Sequence, residues 1–161
     1  GSGRIGALTI LAARRARAAD LISTDLLDYP LAKAKADGAD QTHNILTQPQ
    51  ALAPYGRDKE QVDVHFERSG AAGALASGIS VLRPVGQLIQ LGLGVDMNVP
   101  IQALTSKEIS LKGFFRFYFE FNFAVSLMQK GLINVSDLIA HNVPLHDVIA
   151  RFNWHRTGDP C

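Results

Sequence analysis

The chain has 161 residues, a formal net charge of +1, 47% hydrophobic and 19% charged residues. Such a length supports one domain with a sizeable core, and nothing in the near-neutral charge points to a nucleic-acid surface or an acidic partner. The lone cysteine, Cys161, excludes an internal disulfide and a Cys-based zinc site within these residues, and it fits a reducing compartment, the cytoplasm. No stretch reaches about 18 consecutive apolar residues, so no membrane span is expected.

The first six residues, Gly1-Ser2-Gly3-Arg4-Ile5-Gly6, fit G-x-G-x-x-G, the loop that approaches a dinucleotide pyrophosphate. Gly-Ser-Gly is also a common expression scar. The loop reading demands a helix after the glycines and an acid at the tip of the next strand. Residues 5–17 read as that helix, with Ile5, Leu8, Leu11 and Ala12 on one face and Arg14, Arg15 and Arg17 towards its C-terminus. Leu21-Ile22-Ser23-Thr24-Asp25 then reads as a β-prone run, and its acid lies 19 positions beyond Gly6. In a dinucleotide fold such an acid accepts hydrogen bonds from the adenosine ribose and repels a 2′-phosphate. A scar would not anticipate Asp25; the blander reading of Asp25 is a cap on the approach to the next helix.

Asp28 is expected to cap a second helix, with Pro30 in its first turn and Gly38 as its stop. A short strand follows at 41–46. Pro49, Pro54 and Gly56 interrupt any long element between 47 and 61. Val62 to Glu67 alternates as a strand, and 71–83 reads as an Ala-rich helix with Leu75, Ile79 and Leu82 on one face. Residues 87–92 form the next strand, 109–115 another, and 120–131 an amphipathic helix with Phe121, Val125 and Met128 inward. Short helices are expected around Pro144. Strands alternating with helices imply βαβ units and a parallel sheet. The five histidines lack metal-like spacing.

The ordered motifs GSGRIG, LISTDL, KAKADGAD, VDVHFERSGA, GQLIQLGLG and EISLKGFFRF resemble zinc-dependent medium-chain alcohol and polyol dehydrogenases. The resemblance is strongest to the sorbitol, xylitol and L-idonate 5-dehydrogenase branch, and it extends from residue 1 to about 148. It implies two domains in the parent enzyme, a GroES-like part holding zinc and a Rossmann part holding NAD, of which this chain resembles the second. Residues 1–148 are then an NAD-binding Rossmann-like domain, and 149–161 a divergent tail. The expected fold is α/β, a doubly wound parallel sheet with helices on both faces. No strand precedes the loop, so the central first strand is expected to be lacking, the sheet split, and the chain a fragment.

Carried over by the resemblance, Gly1, Gly3, Ile5 and Gly6 cover the pyrophosphate and Asp25 holds the adenosine ribose. Leu91, Gly92 and Leu93 lie against the nicotinamide ribose and ring. Phe115 and Arg116 reach the nicotinamide end, where Arg116 also contacts substrate. No catalytic and no metal residue is assigned within the chain; zinc is expected in the absent catalytic domain. The implied activity is oxidation of a secondary alcohol of a sugar alcohol or sugar acid to a ketone by hydride transfer to NAD, though the chain alone is expected to be inactive. The expected partners are a small-molecule polyol and a second copy of the chain, with no nucleic acid and no membrane.

Several positions depart from the branch. Arg68 stands where Cys is usual, Phe117 where Tyr often follows the substrate arginine, and Pro30 where a basic residue often follows the ribose acid. Blander readings also stand: Gly92 and Gly94 as a turn, Arg116 as a solvated arginine, and the FFRFYFEFNF run as core plus an interface patch. Two other functional classes remain, a noncatalytic nucleotide-binding or regulatory module and an S-adenosylmethionine-dependent methyltransferase.

Overall fold

A computed structural model describes residues 1–58, 61–139 and 141–151. Helices and strands alternate as α1 (Arg4–Arg15), β1 (Ile22–Asp25), α2 (Asp28–Ala36), β2 (Gln41–Asn44), β3 (Val62–Glu67), α3 (Ala72–Val81), β4 (Leu82–Gln90), α4 (Ile101–Ser106), β5 (Ser110–Gly113) and α5 (Phe119–Gln129). All pairings are parallel. They form two sheets, β1-β2 and β3-β4-β5, so among the described residues the sheet is split between β1 and β3. The gap falls where a 3-2-1-4-5-6 order puts its first strand. No described helix is long and apolar enough to cross a membrane.

Each half has its own core. Leu75, Ile79, Leu82, Leu88, Leu104 and Ile109 pack α3 and α4 onto the three-stranded sheet. Each leucine so buried contributes about 2 kcal/mol. Leu75 and Ile79 of the expected helix face are buried on α3; Leu82, expected on the same helix, is buried as the first residue of β4. Lys107 Nζ donates to the carbonyls of Ile79 at 2.9 Å and of Ser80 and Leu82 at 3.3 Å, placing a cation at the C-terminus of α3. The second core is smaller: Ile10 of α1 meets Ala34, Ala39 and Leu21.

Three expectations are corrected. The buried residues of α1 are Gly6, Ala7 and Ile10, whereas Ile5 and Leu8 are exposed. Gly6 and Ala7 let the start of α1 approach closely, and Ile10 fills the core one turn on. Leu27, not Asp28, is the N-cap of α2, with no side-chain cap bond, and the Asp28 carboxylate accepts from Asn44 Nδ2 at 2.6 Å instead. No residue of α5 is buried; Phe121 is 52% and Met128 42% exposed. Phe114, Phe115, Phe117, Phe119 and Phe123 are exposed as well, so the aromatic run contributes no core. Expectations for residues 152–161, including Cys161 and most of the tail, lie outside the described residues.

One close approach fixes α3 on β3. His65 sits under the helix, its Nε2 buried without a hydrogen-bond partner, and burial lowers its pKa to about 4, with nearby Arg68 acting in the same direction. A Cβ at Gly78 would stand 2.8 Å from His65 Cγ and closer still to Cδ2 and Nε2, while one at Gly73 meets nothing within 4 Å. Gly78→Ala is expected to lower unfolding stability by about 1–3 kcal/mol in urea titrations. Gly73→Ala is expected to leave stability unchanged or raise it by up to about 1 kcal/mol. Equal effects at the two positions would contradict the close packing.

Candidate functional site: a glycine loop and the strand ends around it

Every singled-out residue lies at or beyond the C-terminal end of a parallel strand, or in the loop and first turn of α1. In open α/β sheets ligands bind at that edge, at the point where strand order reverses. Here that point is the gap between β1 and β3.

The loop is anchored first to β1. Ser2 is buried; its Oγ shares a 2.9 Å hydrogen bond with Ser23 Oγ and donates to the Thr24 carbonyl at 3.2 Å. The backbone N–H of Ser2 donates to Asp25 Oδ2 at 2.6 Å. The other oxygen, Oδ1, accepts from the N–H groups of Leu26 at 2.8 Å and Leu27 at 3.1 Å. Asp25 thus stands at the strand tip and caps the turn that follows. Gly3 is the N-cap of α1, no side chain caps the helix, and the space where a Gly3 side chain would stand is open. Uncapped first-turn N–H groups and the helix dipole favour an anion at such a place. Gly6 is needed for packing: a Cβ there would meet the Gly1 carbonyl oxygen at 2.5 Å.

The loop is anchored next to the end of β3. Arg68 Nη1 donates to the Gly6 carbonyl at 3.3 Å, and Gly1 packs beside Ser69. Arg68 is largely enclosed and its Nε is buried with no partner. Beneath it Glu67 is 1% exposed. Its carboxylate accepts from the Ser69 N–H at 2.7 Å, the Ser69 hydroxyl, the Gly70 N–H at 2.9 Å and Gln90 Nε2 at 2.8 Å. Burial pushes this carboxyl upward, but those hydrogen bonds outweigh it and hold its pKa below the ordinary value.

Leu91, Gly92 and Leu93 follow β4. The N–H groups of Leu91 and Gly92 both donate to the Glu67 carbonyl, at 2.8 and 2.9 Å. Gly70 has φ +70°, and a Cβ there would meet the Leu93 carbonyl carbon at 2.7 Å. A Cβ at Gly94 would meet the Gly70 carbonyl oxygen at 2.5 Å, and one at Gly92 would press on Glu67 Oε2 at 2.6 Å. These glycines are required by backbone-to-backbone contact between two strand ends, which is more than a simple turn.

Ile5 and Leu91 come together on one open apolar hollow of about 440 Å³, which also involves Leu8, Thr9, Ala12, Ala13, Ala16 and Phe66. Phe115 and Arg116 lie just past β5, where the Phe114 N–H continues the ladder to the Gln90 carbonyl at 2.9 Å. Arg116 has φ +65°, and its guanidinium lies 4.9 Å from the centre of the Phe115 ring. It shares the sheet edge with Leu91 but does not line the hollow. Among the described residues no group of three His, Cys, Asp or Glu could hold a metal ion.

Sequence reasoning missed Ser2, placed Glu67 only as a strand end, and marked Arg68 only as a departure from the usual cysteine. Ser2 occupies a variable position of the motif, so only its serine identity hinted at a bond to β1.

The Rossmann-like parallel arrangement, the glycine loop and the strand-end acid define a dinucleotide-binding dehydrogenase fold. A family model described as "Zinc-binding dehydrogenase" matches residues 5–130, and the chain belongs to that family. This displaces the methyltransferase reading. Among curated relatives, human sorbitol dehydrogenase is 33% identical over 162 residues, spanning 98% of this chain and 45% of that protein. The Escherichia coli K12 L-idonate 5-dehydrogenase (NAD(P)(+)) is 36% identical over 151 residues, spanning 92% of this chain and 43% of that protein. The crystal structure of L-idonate 5-dehydrogenase from Escherichia coli K-12 MG1655 superposes with a TM-score of 0.78 at 37% identity, covering 83% of this chain and 38% of that one. The alcohol dehydrogenase TADH from Thermus sp. ATN1 superposes with a TM-score of 0.88 at 18% identity over 98% of this chain and 46% of that one, a likeness of fold alone. The chain spans less than half the length of each of these proteins.

The anchoring role of Asp25 has a measurable consequence. Asp25→Ala removes the acceptor for three backbone N–H groups and is expected to cost roughly 2–3 kcal/mol in chemical denaturation. Asp25→Asn, which keeps one acceptor oxygen, is expected to cost less. An unchanged Asp25→Ala midpoint would show that the carboxylate does not hold the loop.

Proposed function

We propose that the chain is the NAD(H)-binding part of a zinc-dependent polyol or alcohol dehydrogenase. The reaction of the parent enzyme is oxidation of a secondary alcohol of a sugar alcohol or sugar acid to a ketone, with hydride passing to NAD. The observation that carries this reading is the Asp25 carboxylate, tied at 2.6 Å to the N–H of the residue between the first two loop glycines. Family membership and the sorbitol and L-idonate dehydrogenase relatives support it.

The residues present suit a dinucleotide. Open space over Gly3 and the uncapped start of α1 leave room and donors for a pyrophosphate. Gly1, Gly3, Ile5 and Gly6 form that cradle, and Asp25 accepts from the adenosine ribose hydroxyls. The strand end at Leu91, Gly92 and Leu93 supports the nicotinamide ribose and ring. Phe115 and Arg116 stand at the nicotinamide end, with Arg116 also reaching substrate. When bound, NAD supplies the hydride acceptor; these residues bind and orient it and exclude water from its apolar side. Among the described residues no cluster suits zinc, and the metal belongs to a catalytic domain outside this stretch. Residues 1–148 are the cofactor domain, working in the cytoplasm. The exposed aromatic residues from Phe114 to Phe123 form an apolar patch suited to pairing with a second copy.

Isothermal titration of the protein with NAD and NADP tests the role of Asp25. NAD is expected to bind at least about tenfold more tightly, because a 2′-phosphate would face the carboxylate. Asp25→Asn is expected to narrow that ratio. Tighter binding of NADP by the unmodified protein would overturn the assignment.

A further inference from the structure

We infer that Arg68 is a cofactor-binding residue, its guanidinium supplying a fixed positive charge to the pyrophosphate from the side of the loop facing β3. The inference rests on the NAD(H)-binding reading and adds to it a residue that the glycine motif and the ribose acid do not include.

Three observations converge on Arg68. Its guanidinium carbon lies 3.8 Å from where a Gly6 Cβ would stand, and Nη1 donates to the Gly6 carbonyl at 3.3 Å. The charge is therefore placed against the first turns of α1. Its Nε is buried and has no acceptor. An enclosed guanidinium with an unmet donor is costly unless an anion completes it.

The carboxylates near enough to act on it, Glu67 and Asp25, are committed elsewhere. Glu67 is engaged by Ser69, Gly70 and Gln90, and Asp25 by the N–H groups of Ser2, Leu26 and Leu27. Among the described residues neither carboxylate bonds the guanidinium, so its charge is left to act on the loop. Burial lowers its pKa, with the two acids acting in the opposite sense. Arginine suits this task, since its planar donors match phosphate oxygens and it keeps its charge when enclosed.

The test compares ligands that share the adenosine but differ in phosphate. Affinities of ADP-ribose, NADH and adenosine are measured for the unmodified protein and for Arg68→Met, Arg68→Gln and Arg68→Lys, with folding checked by circular dichroism. The two neutral variants are expected to lose about tenfold or more in ADP-ribose and NADH affinity while adenosine changes less than about twofold; Arg68→Lys is expected to retain most of the affinity. A merely structural arginine would weaken all three ligands together and would not be rescued by charge alone. Equal losses for adenosine and ADP-ribose, or unchanged ADP-ribose binding in either folded neutral variant, overturns the inference while leaving the NAD(H) reading intact. Failure of the unmodified protein to bind NADH overturns both.

Discussion

The loop from Gly1 to Gly6 is tied to both halves of a sheet whose strands β1 and β3 do not pair with each other. On one side Ser2 bonds Ser23, Thr24 and Asp25. On the other, Arg68 bonds the Gly6 carbonyl. A loop held from two sides is preorganised, and preorganisation lowers what a ligand must spend on ordering its site. It also explains why the glycines recur at fixed places: Gly6 must pass the Gly1 carbonyl, and Gly3 must leave the helix start open.

The opposite wall is held by one residue, Glu67, through its carboxylate and its backbone carbonyl. Glu67 gathers the turn at Ser69 and Gly70, and its carbonyl takes the N–H groups of Leu91 and Gly92. One buried acid thus sets the spacing of two strand ends. A buried carboxylate without donors would be expelled or protonated; four hydrogen bonds keep this one ionised. The apolar hollow shared by Ile5 and Leu91 lies between the two walls.

Most of the fold could be read from the residues. Alternation placed the strands at Ile22, Gln41, Val62 and Ser110 within a few positions, and the interval from Gly6 to Asp25 located the strand-tip acid. Spacing works there because helix length and turn length are fixed by geometry. The outer face of α1 was misjudged because apolar size was taken for burial. Its inner face is made of Gly6, Ala7 and Ile10, and Gly6 and Ala7 count there for their lack of bulk. Asp28 resembled a cap, yet Pro30 has no N–H to offer it and its carboxylate is taken by Asn44 Nδ2. The exposure of α5 and its aromatic residues depends on which element covers them, and a helical pattern does not name its partner. Arg68 stood out only as a departure from the usual cysteine, because the carbonyl it bonds lies 62 residues away at Gly6.

The central claim is that the glycine loop and Asp25 together receive the adenosine end of a dinucleotide. Its most direct test is amide NMR of the isotope-labelled protein titrated with NADH. The largest shifts are expected at Ser2 to Ile5, at Leu26 and Leu27 beside Asp25, and at Leu91 to Leu93, with α5 unaffected. Saturable shifts confined to α5 or to β2, with the loop amides unmoved, would contradict it.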